Sequence, residues 1–177
     1  MTMTDARLKN ITLLILDVDG VLTPGEITYT GSDSESKTFH VKDGFGIRML
    51  RDAGLMVGVI TGRQSEALDR RAAELKLDFC YSGIGDKSAL LAPILEQNGC
   101  LPENVAFMGD DLPDIAIMKS VEVGIAVADA HPEVIKSADI VTRQCGGKGA
   151  VREICERILK ARDLWEEILQ SWVQAAL

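Results

Sequence analysis

The stretch Ile11-Thr-Leu-Leu-Ile-Leu-Asp17-Val-Asp19-Gly20 decides the reading of the chain. Its first six residues form a short apolar run, the pattern of a strand buried on both faces. Two aspartates follow at once. Side chains two apart in an extended chain point the same way, so Asp17 and Asp19 are presented together at the strand's carboxyl edge, where their charges repel. Taken alone, Asp17 to Gly20 also suits a plain Asp-Gly turn that ends a strand.

Apolar runs of the same kind recur at Met56 to Ile60, Phe79 to Tyr81, Val105 to Met108, Val123 to Val127 and Ile140 to Val141. Between them lie segments of helical period, such as Leu68, Ala72 and Leu75, or Leu90, Leu91, Ile94 and Leu95 before an Asn98-Gly99 stop. Strand and helix therefore alternate, which predicts an α/β fold: a Rossmann-like parallel sheet with helices on both faces, whose ligands bind beyond the carboxyl ends of the strands. Two segments break the alternation. Glu26 to Val41 reads as a β-hairpin, with Ile27-Thr-Tyr-Thr and Lys37-Thr-Phe-His-Val flanking a turn at Gly31-Ser-Asp-Ser-Glu. At the C-terminal end, from about 150 to 176, Ile154, Ile158, Ala161, Trp165, Ile168 and Trp172 recur at helical steps. One long helix, or two nearly collinear ones, would carry them on a single stripe, either covering the chain's own sheet or docking on another subunit.

The 177 residues suit one domain over the whole length, and a chain of that size buries roughly 70% of its unfolded surface without a disulfide or metal staple. With 46% hydrophobic and 26% charged residues, neither a disordered nor a membrane protein is expected. Lys plus Arg number 19 against 27 Asp plus Glu, a net charge of −8 that disfavours a general nucleic-acid binder. It does not exclude an acidic small substrate, because a few cations can converge on one pocket. The four cysteines include no C-x-x-C pair, and no leader-like or membrane-length apolar run occurs, so a reducing cytoplasm is the expected location. Only His40 and His131 are present, which leaves acid-base work to carboxylates.

Gly109-Asp110-Asp111-Leu-Pro-Asp114 follows the run at Val105 to Met108 and brings more acids to the same edge of the sheet. One acid is enough to cap a helix beginning near Pro113. Three there, with two after the first strand, form a cluster that a hard divalent cation would neutralise, and all-oxygen ligands favour Mg²⁺. Thr61-Gly62-Arg63 ends the run at Met56 to Ile60, and Lys87 opens the helix after Phe79 to Tyr81 with Asp86 as its N-cap. Each alone is a turn or a surface lysine; the ordered set, one member after each strand, carries the weight.

That set resembles the haloacid dehalogenase superfamily of phosphohydrolases, whose four motifs match Leu16-Asp-Val-Asp-Gly-Val-Leu-Thr23, Val59-Ile-Thr-Gly62, Lys87 and Gly109 to Asp114. The resemblance implies that Asp17 attacks phosphorus and that Asp19 is the general acid and base. It implies Mg²⁺ held by Asp17, the backbone carbonyl of Asp19 and Asp110. Thr61 and Lys87 would balance phosphoryl charge, with Asp111 and Asp114 as supports. The gaps from Gly20 to Asp43 and from Gly62 to Asp86 are too short for an inserted cap domain, so the site is expected to be capless and open. An open site suits a macromolecular substrate or needs a neighbouring subunit as its lid.

The hairpin, His40-Val-Lys-Asp-Gly-Phe-Gly-Ile-Arg48, Ala128-Asp-Ala-His-Pro132 and Gly146-Gly-Lys-Gly-Ala-Val-Arg-Glu153 are together similar to the phosphatases of 3-deoxy-D-manno-octulosonate (KDO) 8-phosphate, a family within that superfamily. This resemblance implies a sugar-acid phosphate as substrate and a homotetramer in which the hairpin flap of one subunit closes the site of the next. It also implies a substrate site lined by Asp19, His40, Val41, Lys42, Asp43, Gly44, Arg48, Arg63, Arg71 and Lys87. Arginine forks suit the two oxyanions of such a substrate. Relatives that act on nine-carbon acids tend to have Glu where Arg63 stands, which favours the eight-carbon substrate. Two rivals of another class are a phosphoacceptor signalling module and a catalytically silent scaffold. The order of the acid motifs argues against the first and the presence of both Asp17 and Asp19 against the second.

Overall fold

A computed structural model describes residues 6–30 and 35–174. Six strands form one parallel sheet: β1 (Leu13–Leu16), β4 (Met56–Ile60), β5 (Phe79–Tyr81), β6 (Val105–Gly109), β7 (Val123–Ala126) and β8 (Ile140–Val141). Their order is β5-β4-β1-β6-β7-β8. The apolar runs thus mark every strand of the sheet, and all four residues of β1 are fully buried at its centre.

The chain first builds outward from β1 through β4 to β5, then returns to the other side of β1 and builds through β6 to β8. Right-handed crossovers in opposite directions put helices on opposite faces. The helices are α1 (Val41–Asp52), α2 (Glu66–Leu75), α3 (Leu91–Asn98), α4 (Ile115–Met118), α5 (Pro132–Ser137), α6 (Ala150–Ala161) and α7 (Trp165–Gln174). The reversal of order between β1 and β6 is the topological switch point, where a crevice opens beyond the strand ends. Among the described residues, only a small two-stranded ribbon and α1 lie between β1 and β4, and only α2 between β4 and β5, which leaves no cap domain there.

The ribbon pairs β2 (Thr28–Tyr29) with β3 (Glu35–Ser36), antiparallel, through Thr28 opposite Ser36 and Tyr29 opposite Glu35. Of the expected turn from Gly31 to Glu35, residues 31–34 lie outside the described residues, and Glu35 belongs to β3. The second strand departs from expectation: it falls at Glu35–Ser36 rather than at Lys37 to Val41. Lys37 turns inward toward an ion pair and is 4% exposed, Phe39 packs against the core, and Val41 already begins α1.

The C-terminal segment is also not one straight rod. Asp163 has φ +60, and Leu164 N–H donates to the Leu159 carbonyl at 2.9 Å, which closes α6 with a left-handed cap. The chain then folds back. Gly46 of α1 faces Arg152 and Cys155 of α6, whereas Leu164 and Ile168 lie beside Ala53 and Trp172 reaches Phe45. The Trp172 ring meets Phe45 edge-on at 4.8 Å, with the Arg48 guanidinium 5.7 Å from its centre. Trp165 packs under Lys160 at 4.7 Å. Both tryptophans of the stripe therefore touch their own chain, while Leu169, Trp172 and Val173 stay partly exposed.

Candidate active site

The site is assembled at the switch point. Asp17 continues β1 by one residue, its N–H donating to the Met108 carbonyl of β6 at 2.9 Å. Its carboxylate is nearly buried and accepts from Lys87 Nζ at 2.5 Å. Lys87 also donates to Asp114 Oδ1 at 2.6 Å. The Asp114 Oδ2 atom in turn accepts from the backbone N–H groups of Asp110 at 3.0 Å and Asp111 at 3.4 Å. Asp114 thereby fixes the loop after β6 and orients the lysine. Asp86 places Lys87, because Asp86 Oδ1 accepts from Ser88 N–H at 3.0 Å and Ala89 N–H at 3.3 Å, one residue ahead of the N-cap position, which Lys87 itself takes in a short 3-10 turn before α3. Asp111 Oδ1 accepts from Leu112 N–H at 2.8 Å and does the same for the next turn.

Carboxylate oxygens of Asp17, Asp110 and Asp114 lie within 4.8 Å of one another. Burial, opposed by the Lys87 ammonium, pushes the Asp17 carboxyl up to about 6. Burial and the negative charges of Asp17, Asp114 and Asp111 push Asp110 up to about 8. One lysine does not balance this cluster. Since Asp114 is committed to Lys87 and to backbone donors, Asp17 and Asp110 are the two oxygen donors left for a hard divalent cation, and the charge deficit is of the sign such an ion would fill. Gly20 makes the approach possible: it has φ +95, and a Cβ there would fall 2.1 Å from Asp110 Oδ2. The Asp110 carboxylate is thus pressed against the Asp19-Gly20 segment.

Thr61 ends β4 beside β1, 2% exposed, with its N–H donating to the Tyr81 carbonyl at 2.9 Å and its hydroxyl accepting from Arg63 N–H at 3.5 Å. Asp19 takes other partners. Lys37 Nζ donates to Asp19 Oδ1, and Arg63 Nε lies 3.9 Å from Asp19 Oδ2. The ribbon residue Glu35 bridges the same two cations, 2.5 Å from Arg63 Nη2 and 3.4 Å from Lys37 Nζ. Neither Glu35 nor Lys37 was singled out by sequence reading. The spacing Glu35-Ser-Lys37 was the available signal, because residues two apart in an extended segment share a face.

The other sequence-derived site residues do not gather around Asp17. Val41, Gly44, Arg48 and Arg71 line a groove between α1 and α2 of about 460 Å³. Arg71 packs across Gly44 and over the Phe39 ring at 5.7 Å. Arg48 is exposed, 3.7 Å from Asp52 Oδ2. Lys42 lies on the exposed side of α1. A neighbouring cleft of about 660 Å³, lined by Glu35, Lys37, Phe39, Val41, Arg70 and Arg71 among others, links this groove to the ion pairs at Asp19.

Asp43, implied by the resemblance as a substrate residue, is held by the start of α6. It is 1% exposed, and its two oxygens accept from Gly149 N–H at 3.2 Å and Arg152 N–H at 2.8 Å. Its role is to cap α6 from a distant helix, whose first N–H groups would otherwise be buried without acceptors. His40 Nδ1 sits 3.8 Å from the same carboxylate. The remaining motifs brace the site. His131 N–H donates to the Asp110 carbonyl at 2.8 Å, Asp129 Oδ1 accepts from Gly146 N–H at 2.9 Å, and Gly147 N–H donates to the Val21 carbonyl at 2.8 Å.

A family model of haloacid dehalogenase-like hydrolases matches residues 82–154. The 3-deoxy-D-manno-octulosonate 8-phosphate phosphatase of Escherichia coli K12 is 45% identical over 162 residues, 92% of this chain and 86% of that one. The chain belongs to the KDO 8-phosphate phosphatase family. Solved structures of the family superpose closely. The Yersinia pestis phosphatase gives a TM-score of 0.90 at 45% identity, covering 92% of this chain and 88% of that one. The Moraxella catarrhalis phosphatase, in complex with magnesium, phosphate and KDO, gives 0.94 at 36% identity, covering 97% and 99%.

Proposed function

We propose that the protein is a Mg²⁺-dependent phosphomonoesterase that hydrolyses KDO 8-phosphate to KDO and phosphate, working as a single domain. The observation that carries the chemistry is the meeting of the Asp17 and Asp110 carboxylates beside Lys87 at the switch point. The substrate follows from the family. In this reading Asp17 attacks phosphorus and forms an aspartyl phosphate, which divides one hard displacement into two easier ones. Asp19 gives a proton to the departing sugar oxygen and later takes one from the attacking water. Thr61 and Lys87 offset charge on the transferring phosphoryl group. Mg²⁺, held by Asp17, Asp110 and the Asp19 backbone carbonyl, would supply the remaining positive charge.

Arg63 and Arg71, with Arg48, Lys42, His40, Val41 and Gly44 along the groove, are proposed to receive the sugar acid. Arg63 favours the eight-carbon acid over a nine-carbon one. Assembly into four copies, with the ribbon closing a neighbouring site, and a cytoplasmic location belong to the same proposal. The four free cysteines suit a reducing compartment. A phosphate-release assay over a panel of sugar phosphates is expected to give a preference for KDO 8-phosphate of at least tenfold; preference for a nine-carbon acid phosphate would overturn the substrate and leave the mechanism.

The acid cluster also sets a pH dependence. A carboxyl whose folded pKa is raised binds its proton more tightly in the folded state, so it favours folding at low pH, and that contribution is lost as pH rises through the folded value. With Asp17 raised to about 6 and Asp110 to about 8, the melting temperature without metal should fall between about pH 5 and pH 8. Mg²⁺ should raise it most at the upper end, where it no longer competes with protons. Thermal melts at three pH values with and without Mg²⁺ check this; a pH-independent Mg²⁺ effect would contradict it.

A further inference from the structure

Resting on the sugar-acid reading above, we propose that Glu35 of the ribbon is an internal stand-in for the substrate's carboxylate, holding Arg63 and Lys37 until a sugar acid displaces it. The four charges form a closed set: Glu35 contacts Arg63 Nη2 at 2.5 Å and Lys37 Nζ at 3.4 Å, and Asp19 engages the same two cations. Lys37 is 4% exposed and Glu35 14%, whereas Arg63, 43% exposed, leaves its pair with Glu35 open to water on one side. The pairs are incompletely satisfied, because Glu35 Oε1 and Asp19 Oδ2 are buried without a hydrogen-bond donor. An ion pair open to water is weak, so another carboxylate can replace Glu35 on Arg63 at little cost.

The carrier of Glu35 is suited to move. Among the described residues, strand β3 is two residues long and pairs only with the two residues of β2, and an isolated two-stranded ribbon is marginal on its own. The space that a sugar acid would enter is already present, since Glu35 and Lys37 form one end of the cleft that runs to Phe39, Arg70 and Arg71. Exchange of one carboxylate for another on the same cations leaves the charge of the site unchanged. A phosphate ester without a carboxylate does not make this exchange. Glu35 and Lys37 thus make the enzyme select acids, in addition to the arginines.

The test uses the full chain and competitive inhibition. Glu35→Gln removes the charge and keeps the shape. Its expected result is an inhibition constant for KDO about tenfold lower than in the unaltered protein, with that for inorganic phosphate moved less than twofold. Adding Arg63→Gln should erase the gain, because the shared cation is then missing. An unchanged or higher constant for KDO in Glu35→Gln, or an equal fall for phosphate, would overturn the proposal while KDO 8-phosphate hydrolysis by the unaltered protein continued to support the functional reading. Absence of that hydrolysis would overturn both.

Discussion

Asp17→Asn is expected to abolish phosphate release, by roughly 10⁴-fold or more, without unfolding the protein. The amide keeps the size of the carboxylate and an oxygen for Lys87, now 2.5 Å from Asp17 Oδ1, but it is not a nucleophile toward phosphorus. The substitution also removes a carboxyl that burial drives up to about 6. At pH 8 without metal the variant should therefore melt no lower than the unaltered protein, and the stabilisation by Mg²⁺ should shrink because one of its two carboxylate donors is gone. Steady-state assays with paired thermal melts separate the two effects. Residual turnover within a hundredfold of normal would remove Asp17 from the role of nucleophile.

Lys87→Met has the larger structural effect. Burial alone would lower the Lys87 pKa, but the Asp17 and Asp114 carboxylates outweigh it and raise the value, so the ammonium stays charged. Without it, Asp17 and Asp114 remain buried beside Asp110 with no counter-charge. Breaking one side of a buried ionic set costs about 3–5 kcal/mol, which for a chain of this size corresponds to a fall of roughly 6–20 °C in melting temperature. The loss should be greatest at pH 8, smaller at pH 5 where the raised carboxyls hold protons, and partly reversed by Mg²⁺. Activity should also fall by about 10²–10³-fold, the effect of deleting one pre-positioned cation from a phosphoryl-transfer site. Denaturant melts at the two pH values provide the check; equal destabilisation at both would mean that Lys87 contributes packing and not charge.

Much of the site was readable because its parts are local. Asp17 and Asp19 follow an apolar strand, Asp110 to Asp114 follow another, and Asp86 caps the turn that presents Lys87. Each is a short-range pattern governed by strand period or helix capping. The parts that the sequence did not show depend on contacts between distant segments. Asp43 stands in the same motif as Lys42 and Gly44, yet its carboxylate serves N–H groups more than a hundred residues later. Lys37 leaves the expected strand because Asp19, eighteen residues earlier, offers a half-buried counter-charge. The helical stripe from Ile154 to Trp172 keeps its period, but the left-handed residue Asp163 folds its second half back onto α1.

The sequence by itself determined the six parallel strands, their alternation with helices and the edge of the sheet that bears the acids, since hydrophobic period and turn chemistry act over a few residues. Only the tertiary structure decided which charges meet: Lys87 with Asp17 and Asp114, Asp43 with the start of α6, and the ribbon's Glu35 and Lys37 with Arg63 and Asp19. The reason is that a charge buried by the fold must be answered by whichever partner the packing brings within reach, and that partner's place along the chain follows no period.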